Sequence, residues 1–181
     1  MTCIVGIKTE KAIWIGGDSA GVWSYDVTSR ADTKVWKKGE FIYGFCGSFR
    51  MGQLLRHAFD PPPNEDEDLE RYMVIDFVNE ARRCFKEGGY LRVSKRREEG
   101  GEFLVGYRGR LFCVQSDFQV AEARQGYMAL GCGESYALGS LYTTDLFEMK
   151  PRSRINLALH CANNFSGGVC EPFVIEKLKC G

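Results

Sequence analysis

Four residues near the start of the chain could together form a hydrolytic site that needs no histidine. Thr2 follows Met1, so removal of the methionine would leave a threonine that carries both a hydroxyl and a free α-amine. The hydroxyl can act as the nucleophile and the amine as its base, because an α-amine has a pKa near ~8. Such a site also needs a cation that keeps the amine neutral, a carboxylate that holds this cation, and a backbone N–H for the oxyanion. Lys34, Asp18 and Gly47 could supply these three groups.

Motifs for other hydrolytic or nucleotide-binding sites are absent from the sequence. The chain has two histidines, His57 and His160, and neither a zinc-protease H-E-x-x-H nor the G-x-S-x-G elbow of α/β-hydrolases. It lacks the phosphate-binding G-x-x-x-x-G-K-[ST], and the segment "GCGES" is not followed by the third glycine of a dinucleotide fingerprint. The sequence therefore predicts no cofactor.

The chain contains 8 cysteines, none of them in a C-x-x-C pair. Most lie in apolar runs such as "YGFCG" and "RLFCV", which predicts small core side chains in a reducing compartment and not a disulfide scaffold. A metal site would have to be built from His160, Cys161, Cys170 and Cys180, and their adjacent and ragged spacing fits zinc poorly. We therefore predict no metal.

The net charge and the hydropathy of the sequence restrict the classes of partner that the protein could bind. Lys and Arg total 24 and Asp and Glu total 24, so no overall field attracts nucleic acid or an anionic membrane surface. No apolar run approaches the roughly 18 residues of a membrane span. The short apolar stretch at the N-terminus has no basic region before it and no small-residue cleavage pattern after it, so a secretory signal is not expected. These features predict a cytoplasmic protein with no nucleic-acid or membrane partner. A length of 181 residues predicts a single domain over 1–181.

The first half of the chain reads as two hairpins followed by two helices. Alternating apolar residues predict a hairpin over 2–18, whose first strand starts at the second residue, and another over 34–47. A Ser-, Gly- and Asp-rich connection separates them. A helix capped by Ser48 follows, and a second helix begins in an acidic segment and ends at Gly88.

The second half repeats this order of strands and then helices. The predicted elements are a charged connection over 92–101, a hairpin over 102–115, strands over 120–133, helices over 134–145 and 151–165, and a strand over 171–178. We interpret the charged connection as a solvated loop and not as a docking patch. Because the strands are segregated from the helices, the pattern indicates an α+β layered domain and not a βαβ sheet.

The residues and their spacing together resemble the proteasome β-subunit family and its shorter bacterial relative, the two-ring threonine protease. Both are N-terminal-nucleophile hydrolases whose mature chains begin with Thr, with Asp in a Gly-Asp pair sixteen residues later and Lys thirty-two residues later. Asp18 and Lys34 stand at these distances from Thr2, in "IGGDSAG" and "ADTKV". The segment "GFCGSF" resembles the family's oxyanion segment, which assigns the N–H donor to Gly47.

Two later segments extend the resemblance over nearly the whole chain. The segment "LGCGESYALGSL" is similar to the family's "GSG-x-x-Y-A" entry to its third helix, and "NNFSGG" is similar to its "D-x-Y-S-G-G" segment. Cys132 stands where the family has a serine near the threonine amine, Asn163 stands where it has an aspartate, and Ser166 matches. The resemblance therefore places Cys132, Asn163 and Ser166 beside the site, with two substitutions that alter its proton handling.

The resemblance implies a four-layer αββα sandwich, in which two antiparallel sheets lie between helix pairs. It also implies a homo-oligomeric ring with active sites facing an inner chamber. Because no segment resembles an ATPase, a separate ATP-dependent unfoldase would have to deliver folded substrates. Without one, the substrates would be peptides or unfolded proteins.

Two classes of function remain open. The first is a threonine peptidase in which Thr2 attacks peptide bonds after Met1 removal; a Cys3 nucleophile is a minor variant that the Asp18 and Lys34 spacings do not fit. The second is a non-catalytic structural or assembly protein that keeps the proteasome-like fold. The substitutions at the family's serine and aspartate positions and the presence of Met1 motivate this second hypothesis.

Overall fold

The computed structural model describes residues 1–64, 67–94 and 97–180. Two antiparallel sheets lie face to face, and each carries a pair of helices on its outer side. This arrangement confirms the predicted α+β class and the four-layer αββα sandwich.

The described residues form thirteen strands and four helices. The strands are β1 (Ile4–Lys8), β2 (Ala12–Gly17), β3 (Ala20–Trp23), β4 (Asp26–Ser29), β5 (Val35–Lys38), β6 (Phe41–Cys46), β7 (Arg92–Ser94), β8 (Arg97–Glu99), β9 (Glu102–Tyr107), β10 (Arg110–Val114), β11 (Val120–Glu122), β12 (Tyr127–Leu130) and β13 (Val174–Lys179). The helices are α1 (Phe49–His57), α2 (Leu69–Arg71, a π-helical stretch Tyr72–Phe77, and Val78–Glu87), α3 (Glu134–Asp145) and α4 (Pro151–Phe165).

The two sheets share one apolar interface. One sheet has the order β12-β1-β2-β13 and the other the order β11-β10-β9-β6-β5. Branched side chains such as Ile4, Ile15 and Ile42 fill the space between them, and burial of such side chains is the main driving force for the sandwich. Gly44 permits the close approach, since a Cβ there would lie 2.7 Å from both Ile4 and Ile15.

Each helix pair covers the outer face of one sheet. An aromatic core lies under α1 and α2, where Phe41 stacks on Tyr107 at a ring-centroid distance of 4.0 Å. An aliphatic core with small residues lies under α3 and α4. The Ser48 side chain caps α1 by accepting a hydrogen bond from Met51 N, as predicted. No described helix is both long enough and apolar enough to cross a lipid bilayer.

Most predicted elements are confirmed, but three differ. The connection over 18–33 contains the hairpin β3–β4, which the sequence pattern did not reveal because β4 is exposed along its whole length. The charged connection over 92–101 contains β7 and β8, while residues 95 and 96 of that prediction lie outside the described residues. The first strand begins at Ile4 and not at the second residue, because the Cys3 N–H donates to the Asp18 carboxylate.

The cysteines divide into a buried and an accessible group. Cys3, Cys46, Cys84 and Cys113 are buried free thiols, which confirms the core interpretation for half of the eight. Burial raises the pKa of the Cys46 thiol to about 12, with the nearby Glu102 carboxylate adding to the effect, and raises that of Cys113 to about 12. The thiolate is the reactive form of cysteine. These thiols are therefore protected from reagents in two ways: burial blocks access to the sulfur, and the raised pKa keeps the thiol protonated.

We therefore expect a maleimide to label at most four thiols of the folded protein at neutral pH. The labelled thiols should be those of Cys132, Cys161, Cys170 and Cys180, the residues that are exposed or half-buried. Intact-mass measurement before and after unfolding in guanidinium chloride provides the check, with all eight labelled in the unfolded control. Rapid labelling of Cys3 or Cys113 in the folded state would contradict the described core.

Candidate active site

The Thr2 hydroxyl, the Lys34 ammonium and the Asp18 carboxylate form one continuous chain of hydrogen bonds. Lys34 Nζ donates to Thr2 Oγ1 over 2.9 Å and to the Asp18 oxygens Oδ1 and Oδ2 over 2.9 and 3.0 Å. All three residues are buried, with exposed fractions of 2% for Thr2 and 1% for each of the other two. The arrangement places a fixed positive charge directly beside a nucleophilic oxygen.

Strand pairing brings these three residues together. Ile4 of β1 lies opposite Gly17 of β2, so Thr2, before β1, meets Asp18, after β2. Lys34 comes directly before β5 and reaches across from the other sheet. The site therefore lies at one end of the sandwich, where both sheets contribute.

The carboxylate of Asp18 is saturated with donors. Besides Lys34, its Oδ1 accepts from Cys3 N over 2.9 Å and its Oδ2 from Ala20 N over 2.8 Å. A buried ion pair is stable only when further hydrogen bonds offset its loss of hydration, and these two backbone donors supply them. Asp18 is therefore held by the segment before β1 and by the first residue of β3, and it fixes Lys34 in turn.

The Thr2 backbone nitrogen has its own partner. Thr2 N donates to Cys132 Sγ over 3.2 Å, and Ser166 Oγ donates to the same sulfur over 3.3 Å. Cys132 meets Thr2 because β1 and β12 are paired with Ile4 opposite Leu130, which aligns the residues just beyond them. The sulfur therefore occupies the position from which an N-terminal amine would be held, although sulfur is a weaker hydrogen-bond partner than a hydroxyl oxygen.

Two glycines with positive φ shape the backbone around the site. Gly131 has a φ of +90°, and a Cβ there would lie 2.3 Å from the Thr2 carbonyl oxygen, so no other residue fits. Gly47, with a φ of +86°, has open space where its Cβ would be. The hydrogen bonds formed among the described residues leave the Gly47 N–H without an acceptor. This N–H is therefore available to a substrate oxygen.

Met1 is attached to Thr2 and lies in the site. The Thr2 hydroxyl donates to the Met1 carbonyl oxygen, and a Cβ added at Gly168 would come within 2.3 Å of the Met1 Cβ. With Met1 joined, the Thr2 nitrogen is an amide and cannot act as a base. The hydrogen bonds that Lys34 donates to Thr2 and to Asp18 are nevertheless already formed in this state.

The structure brings together most, but not all, of the predicted site residues. Thr2, Asp18, Lys34, Cys132 and Ser166 are joined by hydrogen bonds. Asn163 is an exposed residue of α4, and within the described ranges no hydrogen bond or ion pair links it to the others. Sequence reasoning missed the roles of Gly131 and Gly168, for which the only signal was their place in glycine-rich segments.

The alternative nucleophile and the metal site receive no support. Cys3 is fully buried in the core under α3 and α4, and burial, with the Asp18 charge, raises the pKa of its thiol strongly. His160 lies against Glu171, with 3.3 Å between Nδ1 and a carboxylate oxygen. Among the described residues, no group of three His, Cys, Asp or Glu side chains could hold a metal ion.

The wall beside Lys34 is formed by the first residue of α1. The Phe49 ring centroid lies 5.7 Å from Lys34 Nζ, and the ring is covered by the Arg30 guanidinium. A cavity of about 100 Å³ adjoins this ring and is also lined by Phe45, Gly52 and Arg56. Thr2, Asp18, Lys34 and Gly47 are not among the residues that line this cavity.

Comparisons with known proteins support the fold. No family model matches the sequence, and no curated protein matches it. BPH from Thiobacillus denitrificans, solved in complex with epoxomicin, matches with a TM-score of 0.80 and 21% identity over 99% of each chain. Eukaryotic HslV from Trypanosoma brucei matches with a TM-score of 0.70 and 18% identity over 98% of this chain and 99% of that chain.

A third solved structure gives the same result. Anbu, described as an ancestral β-subunit, from Yersinia bercovieri matches with a TM-score of 0.68 and 13% identity over 99% of this chain and 82% of that chain. Identities of this size establish a shared fold and leave activity to be argued from the site. The matches confirm the resemblance predicted from the sequence: the chain has the proteasome β-type fold of the N-terminal-nucleophile hydrolases.

Proposed function

We propose that the chain is a threonine peptidase subunit whose nucleophile is Thr2, exposed as the N-terminal residue by removal of Met1. The observation that carries this proposal is the buried contact of Lys34 Nζ with both Thr2 Oγ1 and the Asp18 carboxylate. A buried lysine that touches a threonine hydroxyl has no evident role in packing, whereas a nucleophile next to a cation that favours a neutral amine is a functional arrangement.

The reaction follows from the positions of these groups. Thr2 Oγ1 attacks the carbonyl carbon of the scissile peptide bond, and the α-amine of the same residue accepts the hydroxyl proton. The Gly47 N–H stabilises the oxyanion, and the amine then returns the proton to the leaving nitrogen. Water, activated by the amine, hydrolyses the acyl-enzyme ester and regenerates the hydroxyl.

Cys132 and Ser166 act on the amine. In the proposal, the Cys132 sulfur orients the Thr2 nitrogen, and Ser166 fixes the sulfur through its hydroxyl. Asn163 takes no direct part, since it is not joined to this network in the described structure.

The proposed function also includes substrates, a location and an oligomeric assembly. The substrates are peptides or unfolded proteins, cleaved in the cytoplasm inside a homo-oligomeric ring, with a separate ATP-dependent unfoldase for folded substrates. The whole of 1–181 acts as one proteasome β-subunit-like domain. The zero net charge and the likeness of fold to BPH and HslV support this setting.

A non-catalytic structural or assembly protein is the second candidate. The specific observation in its favour is Cys132, whose sulfur is the hydrogen-bond partner of the Thr2 nitrogen where the resembled family has a serine hydroxyl. Such a protein would keep the fold and would not require removal of the methionine.

Intact mass before and after incubation with a peptide epoxyketone separates the two candidates. This reagent needs both the threonine hydroxyl and its free α-amine, so the peptidase should lack the mass of Met1 and gain one adduct. Thr2→Ala should lose the adduct, whereas Thr9→Ala, at a threonine distant from the site, should keep it. A protein that retains Met1 and gains no adduct would instead be the structural candidate.

Lys34→Met tests whether the Lys34 ammonium activates Thr2 as the nucleophile. We expect peptidase activity to fall by about 10³-fold or more, because removing one residue of a catalytic group that acts as a unit costs nearly as much as removing all of them. We also expect a loss of about 3–5 kcal/mol in the free energy of unfolding, because the Asp18 charge remains buried without its partner. Peptide hydrolysis and urea unfolding give the two values.

Lys38→Met is the matched control for this variant. Lys38 pairs with Asp60 at the surface and lies at the opposite end of β5 from the site. Its replacement should leave activity within about twofold and cost less than about 1 kcal/mol. Equal effects of the two substitutions would show that Lys34 is not part of a catalytic unit.

Replacements of Cys132 test how the amine is held. Cys132→Ser provides a stronger hydrogen-bond partner in the same place and should keep or raise kcat, while Cys132→Ala should lower it about tenfold, the value of one lost hydrogen bond. Cys161→Ala, a half-buried cysteine on α4, serves as control. A fully active Cys132→Ala variant would remove the sulfur from the mechanism.

A further inference from the structure

Ser19, the residue directly after Asp18, connects two parts of the site that are distant in the chain. It is buried, with an exposed fraction of 5%, and all three of its polar groups are hydrogen-bonded. Ser19 Oγ donates to Pro172 O over 2.5 Å, and Ser19 N donates to Cys170 O over 2.9 Å. Ser19 O accepts from Arg30 N over 2.8 Å. One small side chain therefore joins the turn at Asp18 to the chain between α4 and β13.

The partner of Ser19 is the α4–β13 connection, residues 166–173. The carbonyl groups of residues 170, 171 and 172 all accept hydrogen bonds from the strands beside the site, since Ser29 Oγ donates to Glu171 O over 3.3 Å. Within the connection, Val169 N donates to Ser166 O over 3.2 Å, and the Val169 side chain is buried in the core under α3 and α4. The connection therefore has a fixed path, which the two serines determine at one end.

The other end of the connection holds the sulfur beside the Thr2 nitrogen. Ser166 Oγ donates to Cys132 Sγ over 3.3 Å, and the same sulfur accepts from Thr2 N over 3.2 Å. The backbone also packs on this sulfur, because a Cβ added at Gly168 would lie 2.8 Å from Cys132 Sγ. A displacement of the connection would therefore move the hydroxyl and the backbone that hold Cys132 in place.

The turn that contains Ser19 is the more firmly held of the two partners. Asp18 Oδ2 accepts from Ala20 N over 2.8 Å, which closes the turn around Ser19. The Asp18 carboxylate also binds the buried ammonium of Lys34 and the N–H of Cys3. The connection, in contrast, is exposed at Gly167, Glu171 and Pro172. Ser19 is therefore a fixed point that positions the connection.

We propose that Ser19 is a positioning residue that sets where the Thr2 nitrogen lies relative to the Lys34 ammonium. Its hydroxyl holds the α4–β13 connection, and the connection holds the Cys132 sulfur through Ser166 and Gly168. This inference rests on the proposed function, because it concerns the amine that removal of Met1 would release. Ser19 acts through the connection and not on the substrate.

Ser19→Ala removes the hydroxyl and leaves the backbone bonds of residue 19 in place. We expect kcat for hydrolysis of succinyl-Ala-Ala-Phe aminomethylcoumarin to fall by about tenfold, with KM within about twofold, because a small misplacement of a proton-transfer group slows the reaction more than it weakens binding. The rate constant for adduct formation with the peptide epoxyketone should fall by the same factor. Ser19→Thr, which keeps the hydroxyl, should restore both values to within about threefold of wild type.

Thr28→Ala is the matched control. Thr28 Oγ1 donates to Gly21 O over 3.1 Å inside the β3–β4 hairpin, so this variant also loses one bond from a hydroxyl to a carbonyl close to the site. It does not alter the α4–β13 connection, and kcat should stay within about twofold of wild type. An equal fall of kcat in Thr28→Ala and Ser19→Ala would refute a specific role for Ser19.

A double-mutant cycle tests whether Ser19 acts through the sulfur. If it does, Ser19→Ala should lower kcat by less than about twofold when Cys132 is already replaced by alanine, because coupled residues do not contribute additively. Two independent tenfold losses, about a hundredfold in the double variant, would show that Ser19 acts elsewhere and would overturn the inference.

Failure of this inference and failure of the proposed function give different results. An active wild-type protein whose Ser19→Ala variant keeps wild-type kcat and the wild-type rate of adduct formation would remove the role of Ser19 and leave the peptidase intact. A wild-type protein that hydrolyses no peptide and takes up no epoxyketone would overturn the peptidase, and the inference with it.

Discussion

The ion pair between Lys34 and Asp18 is the constraint around which this end of the molecule is organised. Neither charge could remain buried alone, since an isolated charge in an apolar interior costs many kcal/mol. Among the described residues, the donors to the carboxylate are the ammonium and the backbone N–H groups of Cys3 and Ala20. The start of β1, the turn after β2 and the start of β5 must therefore meet in one geometry. That geometry places the Thr2 hydroxyl within hydrogen-bond distance of the Lys34 ammonium.

The site depends on backbone approach as much as on side-chain chemistry. Gly131 lies so close to the Thr2 carbonyl that a side chain there would collide with it, and Gly168 leaves the space that Met1 occupies. The close packing of the sheets, in turn, requires glycine at Gly44. These positions explain how a small domain can hold a threonine, a lysine and an aspartate at hydrogen-bond distance with almost no access to water. Preorganised groups in such an environment interact more strongly than they would in solvent.

The Thr2 nitrogen has a sulfur atom, Cys132 Sγ, as its hydrogen-bond partner and not a hydroxyl oxygen. A thiol is a weak donor and acceptor, so the nitrogen is held less firmly than by a hydroxyl. The Ser166 hydroxyl compensates in part by fixing the sulfur. On the other side of the nucleophile, Arg30 and Phe49 form a planar wall that is both polar and bulky.

The sequence by itself determined the layered α+β fold and the core of the site. Strand and helix periodicity are local properties, and the sixteen- and thirty-two-residue spacings that place Asp18 and Lys34 relative to Thr2 can be read directly. It could not reveal the hairpin β3–β4, because an exposed strand carries no alternation of burial. Nor could it separate Asn163 from Ser166, three residues apart, of which only Ser166 reaches Cys132. The wall built by Arg30 and Phe49 was also decided by the tertiary structure alone. A contact between side chains distant in the chain depends on how strands cross and helices pack, and no local pattern encodes it.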